Sequence, residues 1–136
     1  MRRWMVWSFT MFWLVCPSVG MAQVYLCKPD IKYTCNKDGC SRETEGFQHA
    51  EVFEYNKKTA KLSACLWTIC YEGNALVFKE KSSGTFTVIG KLLPAHRQYE
   101  PMTVSLTIDK NGNFTCVWGY GADGLTFDMG KYKIVK

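Results

Sequence analysis

A chain of 136 residues with 47% hydrophobic, 15% aromatic and 21% charged content has the make-up of one ordinary globular domain, which excludes disordered and collagen-like sequence. Seventeen basic against twelve acidic side chains give a formal charge of +5, and the lysines are scattered, with Lys57, Lys58 and Lys61 the densest group behind acidic Glu51 and Glu54. Nucleic-acid binders concentrate basic residues on one face, so this pattern argues against a nucleic-acid partner.

The first segment reads as an export signal. Arg2 and Arg3 precede an apolar run from Trp4 to Val15, and Gly20 and Ala22 are the small residues a signal peptidase accepts. A signal peptide over residues 1–22 and a single β domain over 23–136 are therefore expected. The apolar run stops at Cys16-Pro17, short of the about 20 residues that cross a bilayer. No stable membrane insertion is expected after cleavage, and Val15 before Cys16 argues against lipidation. The remaining 114 residues carry a net charge of +3, and their expected place is the periplasm or the medium.

Short strand candidates then follow one another, separated by Gly, Asn, Asp, Ser or Pro. Residues 24–27 and 31–35 open the fold, with Pro29-Asp30 as the break between them. Residues 51–55 and 61–65 flank the loop Asn56-Lys57-Lys58-Thr59. Residues 75–78 and 85–93 come next, and 94–101 is the longest irregular connection. Residues 102–108 alternate apolar and hydroxyl side chains, and Asp109-Lys110-Asn111-Gly112 turns the chain into 113–118. Residues 125–129 and 132–135 complete about eight or nine strands. Alternation leaves one face wet, as in antiparallel sheets, so the expected fold is all-β: one disulfide-stabilised antiparallel barrel or sandwich. Phe53, Phe78, Phe86, Phe114, Trp118 and Phe127 are the candidate aromatic core.

Without Cys16, which leaves with the signal, the cysteines are Cys27, Cys35, Cys40, Cys65, Cys70 and Cys116. In an exported chain an even set is read as disulfides, although sequence alone does not fix the pairing. Cys35 and Cys40 enclose Asp38-Gly39, a tight turn that brings the sulfurs together. Cys65 and Cys70 have the same separation and need a turn or bulge between them, because residues five apart on a flat strand face opposite ways. Cys27 and Cys116 then remain, and their link would be worth about 4 to 5 kcal/mol by loop entropy. Neither C-x4-C has a histidine at finger spacing, and there is no C-x-x-C. Neither a metal nor any other cofactor is expected.

The order Tyr25-Leu26-Cys27, Cys35, Cys40, then Cys65 and Cys70, followed by Asp109 to Thr115 and a late Gly130, resembles a group of small exported, uncharacterised cysteine-rich β-proteins of Gram-negative, mainly alphaproteobacterial, bacteria. The likeness covers most of residues 23–136 and implies a periplasmic β-fold without implying an activity. Members of that group tend to place a final cysteine near the C-terminus, whereas this chain places its late cysteine at 116. Their C-x4-C loop is commonly polar, whereas here it is Leu66-Trp67-Thr68-Ile69.

That uncharged loop is the main candidate site. At a hairpin tip solvent selects Gly, Asn or Asp, so apolar Leu66, Trp67 and Ile69 point to a contact surface, with Trp67 as anchor and Tyr120, between two glycines, as a secondary contact. The alternative is an ordinary core strand, since short apolar runs are ambiguous. His49 and His96 lie in none of the common catalytic motifs, and alternation would place His49, Glu51 and Phe53 on one face with Glu54 opposite. An enzyme is not expected. The expected function is a non-catalytic exported protein that binds a protein or cell-envelope component through loop residues. Two alternatives remain. One is an inhibitor of lysozyme, because bacterial inhibitors of that kind are small exported β-barrels with an S-G-x-x-Y loop, of which Ser83-Gly84-Thr85-Phe86-Thr87 keeps only the Ser-Gly. The other is an envelope-polymer hydrolase.

Overall fold

The structure, a computed structural model, describes residues 23–44, 49–122 and 124–136; the expected signal peptide lies outside them. Period-two alternation of buried and open side chains produces nine strands: β1 (Val24–Asn36), β2 (Gly39–Arg42), β3 (Ala50–Asn56), β4 (Lys61–Leu66), β5 (Cys70–Lys79), β6 (Phe86–Pro94), β7 (Met102–Ile108), β8 (Asn113–Gly119) and β9 (Leu125–Val135). Each pairs antiparallel with its neighbour in the order β2-β1-β3-β4-β5-β6-β7-β8-β9. β1 also pairs with β9, from Val24↔Val135 to Cys35↔Leu125. That seam turns eight strands into a closed barrel and leaves β2 as an extra strand. Closure removes sheet edges along the seam, and the interior is filled by side chains such as Phe53, Leu62, Tyr71, Leu92, Leu106 and Phe114, as in other small barrels.

β1 is one strand rather than two. The chain passes through Pro29-Asp30 with a shift of register between Pro29 and Ile31 opposite Gly130, so the proline sits at a bulge, where its missing N–H costs least. Gly130 is required there, because a Cβ would collide with the Lys28 carbonyl and press on the Phe114 ring. β5 begins five residues before the expected segment. Gly73 resembles a break in the sequence but lies inside the strand, where a Cβ would come within 2.5 Å of the Lys91 carbonyl oxygen.

Register also corrects the core. Phe53, Phe114 and Trp118 are buried, and Phe86 packs on the core from its margin. Phe78, by contrast, is 56% exposed, because β5 turns Tyr71 inward and Phe78 falls in the opposite phase. Phe127 lies beside Val117 on the outer face, and the inward position next to it belongs to Asp128.

Two of the three expected disulfides are present, Cys35–Cys40 and Cys65–Cys70. The third is not, since Cys27 and Cys116 are buried free thiols. Cys27 stands opposite Tyr132 and Cys116 opposite Asp128, on the two flanks of β9. The four-residue stagger along β9 amounts to about 13 Å of strand, beyond the roughly 7 Å limit between Cα atoms of a disulfide.

Candidate functional site

Antiparallel order places chemically different connections at the two ends of the barrel. One end gathers the β1–β2 hairpin, His49, the 66–69 turn, the 95–101 loop and the 120–122 bend. Both disulfides are there, so this is the stapled end. The other, the turn end, has the 57–60, 80–85 and 109–112 connections.

At the stapled end the turn between β4 and β5 is closed by the Leu66 N–H donating to the Ile69 carbonyl (2.9 Å) and by the Cys65–Cys70 bond. This divides the candidate contact residues. Leu66 continues the inward phase of Leu62 and Ala64 and is 6% exposed, and Ile69 packs against the same core. Leu66 belongs to the interior and Ile69 is half-buried against it, correcting their expected role as exposed contact residues. Trp67 is 65% and Tyr120 45% exposed. Tyr120 is held from below, with its ring 5.9 Å from Trp118 and 6.0 Å from Tyr71. Burial, and then the Tyr71 hydroxyl, push its phenol well above the usual range.

Tyr99, Leu93 and Leu125 are exposed at the same end. A groove of about 490 Å³ runs beside the Cys65–Cys70 bridge and is walled by Leu93, Pro94, Ala95 and Glu72. Sequence reasoning missed Tyr99, Leu93 and the groove. Their signal was the length of the 94–101 connection, since long ordered loops carry function more often than short ones.

Below this rim lies a polar element that sequence reading also missed. Asp128 is fully buried and accepts the indole N–H of Trp118 (2.8 Å) on Oδ2. Its Oδ1 and the Nδ1 of His49 have no hydrogen-bond partner among the described residues. Burial raises the Asp128 carboxyl above its ordinary value, against the lowering effects of the Trp118 hydrogen bond, Lys32 and His49. Cys116 is pushed well up, first by burial and then by Asp128 and Cys27. Cys27 is pushed up to about 12 by burial. Both therefore stay thiols, the unreactive form.

The residues named for a hydrolytic reading do not converge. A bulge between Ala50 and Val52 breaks the alternation that would align His49, Glu51 and Phe53. Ala50 and Phe53 point inward and Glu51 is exposed. His49 instead faces Glu43, Nε2 to Oε2 at 3.9 Å. Among the described residues no three His, Cys, Asp or Glu side chains are grouped as metal ligands. Ser83 and Gly84 sit at the turn end, where Ser83 Oγ accepts the Thr85 N–H (3.2 Å).

Two disulfides fit an oxidising compartment, and among the described residues no helix is long and apolar enough to cross a membrane. No protein-family model matches the chain, and neither a curated protein nor a solved structure is significantly similar to it.

Proposed function

We propose that this chain is an exported, non-catalytic binding protein that docks its stapled end on a protein or cell-envelope component. The observation that carries this reading is the gathering of exposed Trp67, Tyr99, Tyr120, Leu93 and Leu125 at one rim beside two covalent staples. Large apolar side chains held rigid at a surface lose little freedom on association, and aromatic ones dominate interface energetics. Export follows from the basic start and apolar run of residues 1–22, and an oxidising destination suits the staples.

The test is affinity capture from an envelope extract with the wild type, Trp67→Ala and Tyr99→Ala side by side. Each variant should lose a partner that the wild type retains, while its stability stays within about 0.5 kcal/mol of wild type, as for surface positions. Unchanged capture by both variants rejects the reading. A steep loss of stability in Trp67→Ala rejects Trp67 as an anchor and assigns it to packing.

A further inference from the structure

β5 outruns its neighbour. The last pair between β4 and β5 is Lys61↔Asn74, followed by one bond from the Ala75 N–H to the Ala60 carbonyl (2.9 Å). On its other side β5 stays paired with β6 as far as Lys79↔Phe86. Residues 76–79 are thus a sheet edge on the β4 side of β5. Hydrogen-bonding direction alternates along an antiparallel strand. Val77 and Lys79 therefore repeat the orientation of Ala75 and aim their N–H and C=O groups at the open side, while Leu76 and Phe78 bond to β6.

That edge borders a concavity of about 650 Å³ at the turn end. Its floor is aromatic, from Tyr25, Tyr55 and Phe86, and its rim is basic, from Lys57, Lys79 and Lys81. The Glu80 carboxylate on the same rim is turned back on the Ser82 N–H (3.2 Å) and hydroxyl (2.8 Å). Among the described residues none of the three lysines has an ion pair. Leu76 and Phe78, on the outer face of the same strand, are 69% and 56% exposed, although natural proteins usually blunt such edges.

We propose that the β5 edge receives an extended acidic peptide segment of a partner protein as an added strand. The guest's backbone pairs with Val77 and Lys79. Alternate apolar side chains fill the aromatic concavity, and its carboxylates meet the three lysines. A peptide matches all three features, backbone edge, apolar floor and basic rim, and strand addition is a recurring mode of recognition. An anionic amphiphile matches only the last two. The site is separate from the stapled end and does not depend on it.

The test uses a blocked hexapeptide of alternating glutamate and valine, followed by calorimetry and by amide hydrogen exchange at Val77 and Lys79. Binding should slow exchange at both amides. It should weaken about tenfold or more, the effect of losing one or two such bonds, in three cases: when alternate peptide amides are N-methylated in both phases, when lysine replaces glutamate, and in the Lys79→Glu variant. Val77→Pro, which removes an outward N–H at the cost of the Val77 side chain's packing on the core, should block binding while the barrel remains folded by circular dichroism. Equal binding of the N-methylated or lysine peptides overturns the proposal. So does binding of dodecanoate without the peptide, or self-association through this edge that the peptide does not disrupt.

Discussion

The two ends of the barrel are built from different materials. The turn end is held by short-range chemistry. Asn56 Oδ1 accepts the Lys58 and Thr59 N–H groups, Asp109 accepts those of Asn111 and Asn113, and the Tyr132 hydroxyl donates to the Asp109 carbonyl (2.8 Å). Beneath these turns Tyr25 meets Tyr55, Phe86 and Tyr132 at ring separations of 6.2, 5.2 and 5.5 Å. The stapled end relies on two covalent bonds and a buried carboxylate, with Tyr71 and Trp118 buried and Trp67, Tyr99 and Tyr120 exposed above them. Ring packing beneath the turns stabilises one end; covalent links hold the backbone beside exposed aromatics at the other.

Removing a ring from each end is the most forceful way to break this comparison. Tyr25→Ala should cost about 3 kcal/mol or more, as truncation of a buried aromatic does, and denaturant titration measures it. Trp67→Ala, at a 65% exposed position, should cost no more than about 0.5 kcal/mol. Similar losses at both ends would remove the distinction. Replacing Cys65 and Cys70 by serine should cost about 2 kcal/mol, the loop-entropy value for so short a closure, and should expose the 66–69 turn to proteolysis. In the native, unreduced protein, alkylation after denaturation should label Cys27 and Cys116 and spare the other four cysteines among the described residues.

A further difference lies in pH. The folded Asp128 carboxyl is raised above its unfolded value of about 3.9. Its favourable contribution is full below that value and is lost as pH rises through the folded one, with a slope of at most about 1.4 kcal/mol per pH unit. Asp128→Asn keeps an acceptor for Trp118 and should flatten that part of the stability profile. Tyr132→Phe forfeits one hydrogen bond, should cost about 1 kcal/mol and leaves the stapled end untouched.

Much of this architecture was legible because alternation and turn chemistry are local. Asp109 to Gly112, the loop after Asn56 and the two C-x4-C spacings each announce a hairpin within a few residues. What escaped depends on register between distant strands. Phe78 and Phe127 look like core residues by composition, yet neighbouring strands set their phase, and Asp128 takes the inward position on β9 instead. The bulge at Glu51 carries no sequence mark, and neither does the β4–β5 register that places Val77 beyond the start of β4. Trp67 was legible as a surface aromatic. Leu66 and Ile69 were misread because a four-residue turn buries its first side chain and lays its last against the core.

The seam between β1 and β9 has a kinetic consequence. It joins positions about a hundred residues apart, Val24 to Val135 at one extreme and Cys35 to Leu125 at the other. Such non-local pairing makes the folding reaction slow. While β9 is still being synthesised, β1 lacks its main partner and its apolar face stays open to chaperones and to aggregation. The local hairpins and their disulfides have time to form first, so the barrel shuts as the final event.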